Sequence, residues 1–507
     1  MLLEKQIKKL LIVVLPVMLA ACTTVNPATG KRDFTPFMSP QKELSIGRDA
    51  HPGILKDNGG TFNDPRLTKY VDDMGQRLVA NSELSDYPFT FTVLDTPLVN
   101  AFALPGGYVY VTRGIMALVN DEAELASVIG HEIGHLTARH SAKRYNNQMF
   151  AGLGTVLVGA ATGNNALTNS LSQGAQAYLM SYSRDQEHQS DELGIRYASR
   201  SGFDPYAASD MLNGLDNQHN LQLILANRAD EPPRSDFNST HPNTQDRVRR
   251  AYQKAVDTGI AQNVRPRNQD VYFNIIDGMI YRDDPKQGVI QGRDFLHPTM
   301  KLKFTVPENY SLQNSSEAVM ARGTGPAEGA AIIFSGASMQ DNTISDYANA
   351  IWKAYKIENE MQGNQNININ GMDAYTAYTT MDMNNQSYVV RLIAIHHSGD
   401  NGYHFLMLTP QSKYQGLSDS LQRASYSFDK ITDQEAAAIK GRKIKIVRAR
   451  SGDTIDRLSS QMAFDDYKKE RFLALNNLTE NQSIKTGQLL KLIVWQYFIS
   501  QMKVFLS

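Results

Sequence analysis

The sequence predicts an α+β chain of three units. These are a mainly helical unit with a small edge-strand sheet, an α/β unit, and a small strand–helix–helix–strand module. Three observations predict this. The chain has 507 residues, enough for about three domains at roughly 150 residues each. Residues 46–265 read as mainly helical apart from one strand-rich patch, and the pattern changes to short strands alternating with helices beyond Arg265-Pro266-Arg267. From 444 to 494 a third, distinct turn grammar begins.

Composition narrows the classes. Apolar residues are 41% and charged residues 20%, which excludes a chain disordered throughout. Lys+Arg 51 against Asp+Glu 52 gives a net charge of −1, so no nucleic-acid partner is expected. The chain has one cysteine, which excludes a disulfide scaffold, a Cys-based zinc finger and an iron–sulfur cluster. Any metal must be held by His and carboxylates.

The N-terminus reads as an address. Lys5, Lys8 and Lys9 precede an apolar run from Leu10 to Leu19. Such a run is too short to cross a bilayer core of ~30 Å but fits a secretory signal. Leu19-Ala20-Ala21-Cys22 resembles a bacterial lipobox, so residues 1–21 are expected to be removed and Cys22 lipidated. Thr23 in place of Asp after the Cys resembles outer-membrane sorting, on the periplasmic side of a Gram-negative envelope. Residues 23–45 form a polar leader with Pro27, Pro36 and Pro40. The uncharged stretch from Tyr145 to Ser183 reads as helices and loops rather than a membrane span.

Within 46–265, Tyr87–Val93 and Ala103–Val111 have strand composition around a Pro105-Gly106-Gly107 turn. A helix follows, capped by Asn120 or Asp121, with Glu122 and Glu124 in its first turn. It carries His131-Glu132-Ile133-Gly134-His135. Residues i and i+4 share a helix face, so His131 and His135 can reach one zinc ion at ~2.0–2.1 Å. Glu132 projects toward the metal-bound water as a general base. Zinc needs a third ligand. Ser183 with Gln186 reads as a capping box, which places Glu187 and Asp191 on one face of a second helix that stops at Ser201-Gly202. Glu187 is the expected third ligand, and Asp191 is expected to accept the N–H of a zinc-bound imidazole. His140 is expected at the surface or in packing, because it lies about 140° round a continuous helix from His135. His188 is expected to point elsewhere, and His297, His396, His397 and His404 are expected to be structural.

Asn100-Ala101-Phe102-Ala103-Leu104-Pro105-Gly106-Gly107, then HEIGH, then SRDQEHQSD, then Thr240-His241-Pro242 together resemble the HtpX/BepA/CAAX-prenyl-protease family of gluzincin zinc metallopeptidases, over about residues 40–255. Ser190 stands where that family usually has Ala. The resemblance implies one zinc per chain. It implies that Asn100, Ala101 and Phe102 lie on an edge strand that binds substrate by main-chain pairing. It also places His241 beside the zinc, with Arg247 near it. His241 then either donates to the developing oxyanion, with Arg247 supplying charge or fixing the loop, or occupies the open zinc position as a gate.

Beyond the boundary, strands are expected at Lys303–Val306, Ala330–Phe334, Ala374–Thr380, Tyr388–Ile395 and Tyr403–Leu408, with helices at Ile344–Ile357 and Leu417–Ser427. This domain, 268–436, weakly resembles a PsbP-like sandwich of unassigned role. Residues 444–494 resemble a LysM module through Ser451-Gly452-Asp453-Thr454, Leu475-Asn476-Asn477-Leu478 and Gly487-Gln488, which implies peptidoglycan as a partner. The opening aromatic of such modules is replaced by Val447-Arg448, and residues 495–507 stay unassigned. The expected function is a membrane-anchored periplasmic zinc endopeptidase acting on unfolded or misassembled envelope proteins. A cell-wall peptidase and a non-catalytic chaperone-like lipoprotein are the alternatives.

Overall fold

The computed structural model describes residues 23–146, 182–225, 241, 245–315, 318–383 and 386–497. The expected signal segment, Cys22 and most of the uncharged stretch after Tyr145 lie outside the described residues. A two-stranded ribbon, β1 (Thr23–Val25) and β2 (Arg32–Phe34), opens the chain, followed by helices α1 (Pro40–Asp57) and α2 (Pro65–Val79). Both helices start on a capping Ser39 or Asp64 followed by Pro. Strands β3 (Thr90–Leu94), β4 (Ala101–Leu104) and β5 (Tyr108–Thr112) form a sheet in the order β3-β5-β4. The β3–β5 pairing is parallel and β4–β5 antiparallel, so β4 is an edge strand.

Helices α3 (Arg113–Leu118), α4 (Glu122–Thr137), α5 (Arg184–Arg200), α6 (Ala207–Leu225), α7 (Gln245–Asp257) and α8 (Gln269–Ile276) follow. Asp121 caps α4, and α5 starts on Ser183 with the capping box to Gln186 formed. The α4 helix is buried nearly all round. That fits its apolar sequence and its place between the small sheet, α5 and α6.

Strand β6 (Ile280–Tyr281) leads into β7 (Val289–Gln291), β8 (Asp294–His297) and β9 (Leu302–Thr305). Then come β10 (Tyr310–Asn314), β11 (Val319–Gly323), β12 (Ala331–Ser338), α9 (Ile344–Ala354), β13 (Gln362–Ile369), β14 (Met372–Met383), β15 (Gln386–Ser398), β16 (Asn401–Pro410) and α10 (Tyr414–Tyr426). A seven-stranded sheet runs in the order β10-β11-β12-β16-β15-β14-β13. Helix α9 packs on one of its faces, and α10 with a smaller sheet on the other. That smaller sheet is β17 (Asp429–Lys430) with β9, β8 and β7. Every pairing in both sheets is antiparallel. The α/β expectation for this unit is therefore corrected to α+β. The cause is local: β13–β14 and β15–β16 are hairpins closed at Asn370-Gly371 and Gly399-Asp400, and tight turns join only antiparallel strands.

The chain closes with α11 (Asp433–Ala438), β18 (Lys440–Arg448), α12 (Ile455–Ser459), α13 (Lys468–Leu475) and β19 (Leu489–Tyr497). Its sheet order is β19-β18-β6, so the segment before β7 contributes a strand to the last module. Trp495 and Gln496 continue β19 opposite Arg442 and Gly441. Ile444, Phe472 and Ile493 are fully buried in the same cluster as Ile129 and Ile133 of α4. The C-terminal segment and the helical unit therefore share one core. Asn477 accepts from Asn213 and Asn217 of α6, and Lys491 donates to the Ala117, Leu118 and Val119 carbonyls at 2.7–2.9 Å. No helix among the described residues is long and apolar enough to cross a membrane.

Candidate metal centre

The site is made by two helices that touch backbone to backbone. A Cβ on Gly194 of α5 would lie 2.8 Å from the His131 backbone N, and one on Gly130 of α4 would lie 3.0 Å from the Gly194 carbonyl. With no side chain between them, α4 and α5 approach closely enough for His131 and His135 to meet Glu187. The His131 and His135 Nε2 atoms are 3.0 Å apart, and each is 3.5 Å from a Glu187 carboxylate oxygen. His241 joins them, its Nδ1 3.3 Å from His131 Nε2 and 3.0 Å from Glu187. All four residues are buried. Ligands at ~2.0–2.1 Å from a tetrahedral zinc ion stand about 3.3 Å from one another. The observed spacings bracket that value, so the donor set fits a metal of this kind.

The surroundings orient the donors. His131 Nδ1 lies 2.9 Å from Asp191; donation of its N–H there leaves Nε2 as the ligating lone pair. Arg247 grips Asp191 through two nitrogens at 2.7 and 2.8 Å, reaches Glu187 at 2.8 Å and donates to the His241 carbonyl at 3.3 Å. Arg247 thus ties α5 to the loop of His241. Burial works to raise the Asp191 carboxyl, but the charge and hydrogen bonds of Arg247 hold it down at about 2. Glu187 is held well below its usual range by His241 and His131 against the same burial. Burial instead pushes Glu132 up, with His241 and His131 opposing it. Glu132 is fully buried and neither of its oxygens has a hydrogen-bond partner among the described residues; His241 Nε2 stands 3.6 Å away. A carboxylate kept basic beside a donor cluster is poised for proton transfer.

The expectation for His140 is corrected. It is fully buried, 2.9 Å from His135 Nδ1, with its Nε2 2.9 Å from the Gln189 side-chain oxygen. The α4 helix ends at Thr137, and Arg139 takes a left-handed φ of 53°, so the chain doubles back and the angular argument fails. One tautomer set satisfies the row: His135 Nδ1–H donates to His140, and His140 Nε2–H donates to Gln189. His135 Nε2 is then free for the metal. Tyr182 is a second residue that sequence reasoning missed. Its ring stacks on His135 with centroids 3.7 Å apart, and its hydroxyl lies 3.1 Å from Ser141 Oγ. The available signal was its position one residue before the cap of α5. His188 points away, toward Asp246.

Asn100 precedes β4, and Ala101 and Phe102 lie on it, with Phe102 stacked on Tyr110 of β5. The β4 strand packs on α4 and keeps its outer edge without a strand partner among the described residues.

Two His in HEIGH with a Glu from a neighbouring helix define a gluzincin-type metallopeptidase site. The model of Peptidase family M48 matches residues 65–255, and this part of the chain is similar to that family. The chain is similar to the beta-barrel assembly-enhancing protease of Escherichia coli K12, 33% identical over 271 residues, which is 50% of this chain and 53% of that protein. It is also similar to the mitochondrial metalloendopeptidase OMA1 of Schizosaccharomyces pombe, 30% identical over 44% of this chain and 64% of that protein. The chain thus spans about half to two thirds of the length of these relatives. Among solved structures, PsbP (CyanoP) of Synechocystis sp. PCC 6803 matches 27% of this chain and 91% of its own, at 11% identity and a TM-score of 0.23. A likeness at that level supports no argument about the second unit.

Proposed function

We propose that the chain is a zinc endopeptidase, tethered to the outer membrane through Cys22, that cleaves unfolded or misassembled envelope proteins in the periplasm. The observation that supports it is the buried His131, His135, Glu187 and His241 donor set with the buried Glu132 carboxylate beside it, which has no hydrogen-bond partner among the described residues. When bound, the metal polarises the scissile carbonyl and acidifies water. Glu132 takes the proton of the attacking water and returns it to the leaving amine. Asp191, His140 and Arg247 keep the donors in one tautomer and geometry. An extended chain pairs with the open edge of β4 at Asn100–Phe102. His241 stands where a fourth ligand stands, so we assign it as a gate that must leave before substrate enters. The substrate class rests on the E. coli relative, whose name refers to β-barrel assembly.

The test compares cleavage of a reduced, unfolded protein with release of peptides from purified peptidoglycan. About one zinc per chain, cleavage of the unfolded protein, and its loss in Glu132→Gln and with a chelator are expected. Activity on peptidoglycan alone would move the reading to a cell-wall peptidase. Residues 444–494 are assigned as a LysM-like module that binds peptidoglycan. The full chain should then sediment with sacculi in a manner that depends on this segment. Fatty-acid labelling of the wild type, absent in Cys22→Ala, tests the anchor.

A further inference from the structure

The seven-stranded sheet holds a cavity of 260 Å³ beneath α10, in a different unit from the metal donors. Its lining is mixed, and its apolar part is Ile367, Val389, Ile393 and Met407 from the strands and Leu421 from the helix. Arg391 stands on β15 between Val389 and Ile393, on the same face by strand alternation. It donates to Thr376 Oγ1 at 3.2 Å and Tyr414 Oη at 2.9 Å, and lies 5.1 Å from the centre of the Tyr378 ring. It forms no ion pair among the described residues. Asp419 also lines the cavity but is exposed on α10 and does not pair with it. Neutral hydroxyls and a ring face thus fix the guanidinium in one pose and leave most of its donors without a protein acceptor. A cation so placed beside these apolar side chains suits a carboxylate attached to an apolar group.

We propose that this cavity binds the C-terminal carboxylate of a polypeptide together with the apolar side chain of its last residue. The volume exceeds the ~150 Å³ that admits benzene and falls below the ~300 Å³ where small-molecule pockets begin, which is the size of one large side chain. Gln365, Thr409 and Gln422 add amide and hydroxyl groups for a peptide linkage, which an acyl chain lacks. Gln365 and Ile367 belong to β13, the edge strand of the sheet, whose outer main-chain groups can pair with the residues leading up to the chain end.

The test is fluorescence anisotropy of a labelled hexapeptide ending in Phe, as free acid and as C-terminal amide. The full chain carries Glu132→Gln so that cleavage does not enter the reading. The acid should bind at least about tenfold tighter than the amide. Arg391→Gln should abolish the difference. Ser418→Trp, which fills the cavity from α10 and leaves the guanidinium in place, should weaken the acid in a protein of unchanged Tm. Equal affinity for acid and amide would overturn the proposal. So would a preference that survives Arg391→Gln, or decanoate binding in place of the peptide. Because binding is read without turnover, failure here is separable from failure of the peptidase reading.

Discussion

Lys491→Met tests whether the last strand is part of the peptidase fold or a tethered module. Lys491 is fully buried, and its ammonium donates to the carbonyls of Ala117, Leu118 and Val119. These carbonyls close α3, where the helix has no N–H left to offer. Burial pulls the Lys491 amine down to about 7, with Glu124 and Asp121 at the start of α4 opposing it. Met keeps most of the volume, so little cavity forms. What is lost is the donor to three buried carbonyls, while Arg267 keeps its ion pairs with Asp121 and Glu124. Leaving buried acceptors without their donor costs about 1–3 kcal/mol each, so about 3–5 kcal/mol is expected for the set. For a cooperative unit of this size that lowers Tm by between about 6 and 20 °C. The assay is thermal unfolding followed by circular dichroism and by loss of proteolysis, with Lys445→Met as the comparison. Lys445 pairs with Asp277 at the surface, 50% and 36% exposed, and its loss should cost less than about 1 kcal/mol. A Lys491→Met Tm within about 2 °C of wild type would refute the shared, cooperative core.

Three further outcomes are expected. His241→Ala should raise basal cleavage of unfolded protein if His241 gates the metal; a fall of ~10²-fold or more would instead make it an oxyanion donor. Gly194→Ala drives a Cβ to 2.8 Å from the His131 backbone N, so it should cost about 1–3 kcal/mol and reduce the zinc retained against a weak chelator. His404 is buried between the Tyr347 and Tyr355 hydroxyls, and burial lowers it to about 4. The unfolded state, with an ordinary imidazole, binds more protons between about pH 4 and 6.5. Stability from this group is therefore full above that window and is lost as pH falls through it, by up to ~3 kcal/mol. Tm measured from pH 7 to 4 should fall less steeply in His404→Gln, and identical slopes would rule this out.

Three of the four donors, His131, His135 and Glu187, were legible because their logic is local, whereas His241 came only with the family resemblance. Helix spacing places His131 with His135 and Glu187 with Asp191, and the Ser183–Gln186 box marks where the second helix begins. The glycines of Gly130 and HEIGH signal room for a second backbone, but that Gly194 is the partner which brings the two pairs together is tertiary and had no such signal. His140 was misplaced because a helical angle was carried past Thr137, where the chain had already turned. Strands β6, β7, β8, β10, β11, β13 and β17 went unseen; β13 reads QGNQNINI, mostly exposed and polar, and has no apolar alternation to reveal it. Lys491 reads as a solvated residue on a closing strand. Only the partner across more than three hundred residues explains why it is inside.

That separation also sets an order of events. The carbonyls that Lys491 holds end the helix just before α4, yet β19 is synthesised 372 to 374 residues after them. Contacts so distant in sequence form late. While the chain emerges, HEIGH and Glu187 are present in a unit whose final strand is missing, and that unit keeps unburied apolar surface on α3, α4 and α6. The helices that carry His131, His135 and Glu187 thus gain their full packing only once β19 has been made.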